Sequence, residues 1–334
     1  MTRRRTIIVI VSLVAGVAVQ SVGTADHASG YAEFRKSGGI LVVDGQRVRT
    51  GAKTTFHGDK IRALEDIPLG YEVDVNGTRQ PDGTIAADSV SAKPNGVAMY
   101  EKDVLQATDQ IEKEWVSKGM MYEPSSAGKT TKIGDISDSG PRVARVRRIM
   151  DRLRPPYIAA DRLRVRVIDT KEWNASAMGN GAIWVYSGLL DAMSDDEMAI
   201  VLGHELTHFT HEHSRRNAKR GMFTQIIGLS AIVASSTIDN NAARTSAMLG
   251  SMLTMTAFQS GYSRDLEDQA DRVGLRYAYE GGYDPRTGPV LWGKFKQKYG
   301  ESDKVSNFFV GSHSRPSDRI KNIDKELAVN YRAK

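Results

Sequence analysis

The sequence predicts an α+β protein: a mostly helical domain carrying a small β-sheet, preceded by a small all-β domain of the OB or SH3-like barrel kind. Three observations carry this. Residues 30–96 hold short β-rich runs separated by glycine-containing turns. From Val97 onward the apolar residues recur at helical spacing. Between two helical stretches, Leu163, Val165 and Val167 alternate with arginines, the period of a strand with one buried face. At 334 residues the chain has room for two domains, and 40% hydrophobic with 26% charged residues is ordinary for globular chains. A polytopic membrane protein, a disordered chain and a fibrous repeat are excluded.

The first element is a targeting segment. Arg3, Arg4 and Arg5 precede an apolar run from Ile7 to Val19 and then small residues ending at Ala25. That order is expected of a secretory signal peptide over residues 1–25. The run is short of the about 20 apolar residues a permanent span needs, so an uncleaved anchor is the lesser alternative. Secretion across the inner membrane to a periplasmic or extracytoplasmic site is expected. Without those three arginines the net charge falls from +6 to +3, and no nucleic acid partner is expected. No cysteine is present, which excludes disulfides, thiol catalysis and cysteine-held metals.

In residues 30–96, Ile40–Val43 and Tyr71–Val75 read as strands. Turns are expected at Gly38-Gly39, Asp44-Gly45, Asn76-Gly77 and Asp82-Gly83. Pro94-Asn95-Gly96 marks the boundary with a second domain over 97–334. There, residues 123–140 read as an exposed loop. A helix after Pro141 points Val143, Val146, Met150 and Leu153 inward and Arg142, Arg145, Arg148 and Arg152 to a solvated face. Pro155-Pro156 ends it. The apolar runs 226–234 and 248–258 fall below spanning length and read as buried or cleft-covering helices.

His204-Glu205-Leu206-Thr207-His208 is an H-E-x-x-H motif, introduced by Ser194 as cap and an acidic first turn. On a helix the two histidines lie one turn apart and reach one ion, while Glu205 stands ready to take a proton from water beside it. His211 lies about 10 Å of helical rise from His204, too far to share that ion, and His213 faces away, so both are expected at the site rim. Downstream, Glu267 and Asp271 sit one helical turn apart. Taken alone, that segment reads as an acidic solvated face. Beside two imidazoles, Glu267 completes a His₂Glu set for one Zn²⁺ per chain, and Asp271 can accept a hydrogen bond from a ligand histidine.

These motifs, together with Asn174-Ala175-x-Ala177-x-Gly179-x-Gly181-x-Ile183-x-Val185 and His313-Ser314-Arg315-Pro316…Arg319-Ile320, resemble the zinc metallopeptidase family of HtpX, the CAAX prenyl endopeptidases and the secreted BepA-like proteases. The resemblance covers residues of about 100–325 and leaves out the β-rich segment. It implies a gluzincin metalloendopeptidase acting on protein or peptide substrates, misfolded or misassembled ones above all. It implies that Ala182, Ile183, Trp184, Val185 and Tyr186 form an edge strand that pairs with extended substrate. It implies that His313 approaches the zinc, as a catalytic group, a restraint or a structural one. Ser314-Arg315 departs from the family's usual proline directly after that histidine. An envelope chaperone or adaptor with a restrained peptidase site is the alternative. Membrane-associated substrates or a partner protein, met through the β-rich domain, are the further partners expected.

Overall fold

The computed structural model describes residues 24–36, 38–94, 99–124, 130–213, 216, 263–301 and 316–331. The expectations for the targeting segment up to residue 23, the apolar runs 226–234 and 248–258, and His313 lie outside the described residues. Among the described residues no helix is long and apolar enough to cross a membrane.

The N-terminal unit is built from β1 (Thr24–Lys36), β2 (Ile40–Val43), β3 (Gln46–Arg49), β4 (Thr55–His57), β5 (Glu72–Arg79) and β6 (Ile85–Lys93), in the sheet order β3-β2-β1-β5-β6-β4. The sheet closes on itself because β3 also runs parallel to the start of β6, Val48 opposite Ile85. β4 continues along the same side of β6 with Phe56 opposite Val90. Leu41, Val48, Ile67, Val75, Ile85 and Val90 fill the interior. Asp44 and Gly45 both take positive φ, 41° and 81°, as a tight β2–β3 turn requires. The turn expected at Asn76-Gly77 is absent. Both residues lie inside β5 at a bulge against β6, where a Cβ on Gly77 would fall 2.2 Å from the Ala86 carbonyl oxygen. The glycine serves a close strand approach there, which sequence alone does not separate from a turn.

The second unit contains α1 (Met99–Lys118), β7 (Met120–Pro124), β8 (Thr130–Ser137), α2 (Pro141–Leu153), β9 (Arg164–Asp169), β10 (Ala175–Ala177), β11 (Ala182–Tyr186), α3 (Ser187–Ala192), α4 (Asp195–Thr210), α5 (Arg264–Glu280), α6 (Gly288–Tyr299) and α7 (Pro316–Asn330). Its sheet runs β10-β11-β9-β8-β7, with β11 and β9 parallel and the other pairs antiparallel. The segment 123–140, expected as a loop, supplies β8 and the end of β7, because Ile136 and Ser137 pair with Ile168 and Val167 of β9. The basic face of α2 is exposed at Arg142, Arg148 and Arg152, as expected, and carries surface pairings: Arg145 and Arg148 hold Asp195 at 2.7 and 3.0 Å, Arg142 pairs with Asp191, and Arg152 lies over the Tyr283 ring.

The expected edge strand is corrected. Ala182, Ile183, Trp184, Val185 and Tyr186 form β11, but β11 is flanked by β9 and β10 and every one of its residues is buried. The hairpin 174–190 inserts its second strand beside β9, so its first strand, β10, takes the open edge.

Helices α4 and α5 cross with almost nothing between them. A Cβ on Gly203 would fall 2.5 Å from the Gly274 carbonyl oxygen, and one on Gly274 would fall 2.6 Å from the His204 nitrogen. Main chain meets main chain, and this fixes how near the α5 carboxylates stand to the α4 histidines.

Candidate metal centre

Local sequence sets α4 in place. Ser194 Oγ accepts from the Glu197 amide at 3.2 Å and the Glu197 carboxylate accepts from the Ser194 amide at 2.8 Å, a reciprocal cap that satisfies the helix's first donors. Three turns on, His204 and His208 face Glu267 of α5, and all three are buried. His204 Nε2 lies 3.5 Å from Glu267 Oε2, His208 Nε2 lies 3.6 Å from Glu267 Oε1, and the two Nε2 atoms are 2.9 Å apart. Tetrahedral zinc with bonds of about 2.0–2.1 Å separates its ligands by about 3.3 Å, so a small rotamer adjustment seats the ion.

Each ring is backed from behind. His204 Nδ1 lies 2.9 Å from Asp271 Oδ1, one helical turn beyond Glu267. Arg319 of α7 grips that carboxylate, its Nε donating to Oδ2 at 2.9 Å and its Nη2 donating to Oδ1, and it stacks 3.4 Å from the centre of the Trp292 ring. His208 Nδ1 lies 2.8 Å from His213 Nδ1. With both Nδ1 atoms committed to these partners, two Nε2 lone pairs point at one another and at a carboxylate. Such a donor set fits a cation, and two imidazoles with a carboxylate suit zinc.

The titration behaviour agrees. Burial and the Arg319 charge push the His204 imidazole down, but the bonds to Asp271 and Glu267 outweigh them and raise its pKa to about 9. The pocket thus demands positive charge. Burial alone would raise Asp271, yet the Arg319 guanidinium and His204 hold it below the usual carboxylate range. Burial pushes Glu205 up to about 7. Its Oε2 accepts from the Ala177 amide of β10 at 2.8 Å, while Oε1 is buried without a hydrogen-bond partner. An anchored carboxylate with one open oxygen and a pKa near neutrality is equipped to take up a proton.

The structure brings His204, Glu205, His208, Glu267 and Asp271 together. It corrects the rim positions expected of His211 and His213, which are fully buried. Helix α4 stops at Thr210, and Glu212 takes a left-handed φ of 57°, which swings His213 back behind His208. Burial drives His213 well below the usual histidine range and His211 down to about 3. Arg319 was visible only as part of a C-terminal motif, and Gln269 carried no signal at all. A buried arginine beside a known acidic turn is the pattern that would have found the first.

Two buried imidazoles on α4, a carboxylate on α5 and an open carboxylate oxygen beside them make a candidate metal centre of the peptidase type. The model of peptidase family M48 matches residues 142–327, and the chain belongs to that family. It is 35% identical over 163 residues to the metalloprotease YcaL of Escherichia coli K12, covering 49% of this chain and 61% of that protein. It is 28% identical over 168 residues to a putative beta-barrel assembly-enhancing protease of Vibrio cholerae, covering 49% and 34%. The crystal structure of Ste24p from S. mikatae aligns with a TM-score of 0.41 at 18% identity, covering 66% of this chain and 55% of that one. The chain spans less than two thirds of the length of the curated relatives it matches.

Proposed function

We propose that this chain is a zinc-dependent metalloendopeptidase of the cell envelope that cleaves misfolded or misassembled proteins. The observation that carries the chemistry is the buried His204, His208 and Glu267 cluster, its donor atoms within 4.8 Å of one another, with the open Oε1 of Glu205 beside it. Zinc, when bound, supplies the Lewis acidity that acidifies a water and polarises a carbonyl. Glu205 accepts the water proton on Oε1 and returns it to the leaving amine, held in aim by the Ala177 amide. Asp271 and Arg319 keep the His204 ring turned toward the ion. The open edge of β10 (Ala175–Ala177), beside Glu205, is where an extended substrate adds its main-chain hydrogen bonds.

The envelope setting rests on the signal-type segment at Arg3–Val19, and the choice of substrate on the printed name of the Vibrio relative. The closed strand ring supports reading the N-terminal unit as an OB-type barrel, since β3 and β6 close it in parallel. Zinc content and casein cleavage, measured for wild type and Glu205→Gln side by side, test the reading. About one zinc per chain in both, with cleavage reduced about 10²- to 10⁴-fold in the variant, is expected. Zinc in both with cleavage in neither would favour a restrained site serving as a chaperone or adaptor. No zinc in the wild type would sink the metal centre itself.

A further inference from the structure

We propose that Glu33 and Asp44, in the N-terminal barrel, are positioning residues for the metal ligand His208, setting through Gln269 and His213 which ring nitrogen of His208 carries the proton. Glu33 lies at a bulge in β1, where the register against β2 slips between Ala32 and Phe34. Bulges re-aim side chains, and this one places a buried carboxylate against α5. Glu33 Oε1 accepts from Gln269 Nε2 at 2.6 Å, and Asp44 Oδ1 accepts from the same nitrogen at 2.8 Å. On its other side, Gln269 Oε1 accepts from Arg216 Nη1 at 2.9 Å and lies 2.9 Å from His213 Nε2.

An amide can be flipped, but this one cannot. Carboxylates only accept and guanidinium only donates, so the reversed amide would set oxygen against two carboxylates and N–H against Arg216. The Gln269 oxygen therefore faces His213 and requires the proton on His213 Nε2. A neutral imidazole then offers its Nδ1 lone pair to His208, which must carry its own proton on Nδ1 and present a bare Nε2 to the metal. Arg272 Nη2 holds Glu33 Oε2 at 3.0 Å and Arg216 Nη2 holds Asp44 Oδ2 at 3.1 Å, which stiffens the anchoring end. The family match begins at residue 142, so the anchor lies outside the peptidase module.

The inference rests on reading His204, His208 and Glu267 as zinc ligands. Its test is zinc affinity of the full chain, measured by competition with a chromogenic chelator. Asp44 and Arg216 would still orient the amide after Glu33→Gln alone, so the test variant is Glu33→Gln/Asp44→Asn/Arg216→Met, in which no carboxylate or guanidinium forbids the flipped amide. About tenfold weaker zinc binding is expected, the lower end of what outer supports of a metal ligand contribute. Adding Gln269→Glu restores an acceptor facing His213 while the new amides at positions 33 and 44 donate to it, so that variant is expected within about threefold of wild type. Tyr157→Phe, which removes the 2.6 Å bond from Tyr157 to the Leu69 carbonyl, loosens the same domain contact without touching the chain of bonds, and is expected to leave zinc affinity unchanged. Equal zinc affinity in Glu33→Gln/Asp44→Asn/Arg216→Met and wild type, or an equal loss in Tyr157→Phe, would overturn the proposal. Should the barrel variants not fold, ¹⁵N spectra of the zinc-loaded wild type decide: a proton on His213 Nε2 supports it and one on Nδ1 overturns it. Wild type that bound no zinc would overturn the metal centre, a separate failure.

Discussion

The two histidines of the candidate metal centre are held in opposite ways. Behind His204 stands a charged couple, Asp271 and Arg319, both inside the region matched by the family model. Behind His208 stand, among the described residues, a neutral imidazole and then an amide, and charge enters one bond further out, where Glu33, Asp44 and Arg216 hold that amide. The first arrangement stabilises the ring by a nearby charge. The second controls it by hydrogen-bond direction alone, with the charges kept at a distance. A site can thus carry one support from within the region matched by the family model and one from outside it.

Removing the charge behind His204 is expected to have the largest effect. Arg319→Met leaves Asp271 as an uncompensated buried charge, and unfolding free energy is expected to fall by about 3–5 kcal/mol, read by denaturant titration. A change below 1 kcal/mol would show that the couple is not what holds this half. Next, Asp271→Asn keeps the shape but weakens the acceptor, and zinc affinity is expected to drop about 10- to 100-fold, more than for Glu33→Gln/Asp44→Asn/Arg216→Met. An equal drop in the two variants would erase the difference between the supports.

The smallest effect is on pH dependence. Thr210 Oγ1 lies 3.0 Å from His211 Nδ1, and the Tyr31 ring of the barrel stands 5.7 Å away. Burial lowers His211 to about 3, whereas the unfolded chain binds the same proton near 6.5. Between those values the unfolded state holds the extra proton, so stability falls as pH falls, by up to about 1.4 kcal/mol per pH unit, and is unaffected above 6.5. His211→Gln is expected to flatten that slope for metal-free protein unfolded in urea from pH 7 to 5. An unchanged slope would place the acid sensitivity elsewhere.

What could be seen in advance follows the range of the interactions. The H-E-x-x-H helix and its Ser194 cap are local and so were legible, whereas Glu267 and Asp271, an acidic helix face when taken alone, became legible only beside the two imidazoles and the family motif. The return of His213 depends on one left-handed residue, Glu212, which no periodicity announces. The open edge was assigned to the wrong strand of its hairpin because strand order within a sheet is a long-range property. Glu33 reads as an ordinary outward residue in Tyr31-Ala32-Glu33-Phe34, since neither its bulge nor its partners on α5 lie within reach of a sequence window.

The outer supports also come from opposite sides of the histidines in sequence. Glu33 precedes both histidines and Arg319 follows them. Domains generally fold in the order they emerge, so the barrel is available to receive α5 as soon as that helix forms. Asp271 must wait for α7. In that order of folding, a chain holds His204, His208 and Glu267 before it holds the arginine that steadies one of them.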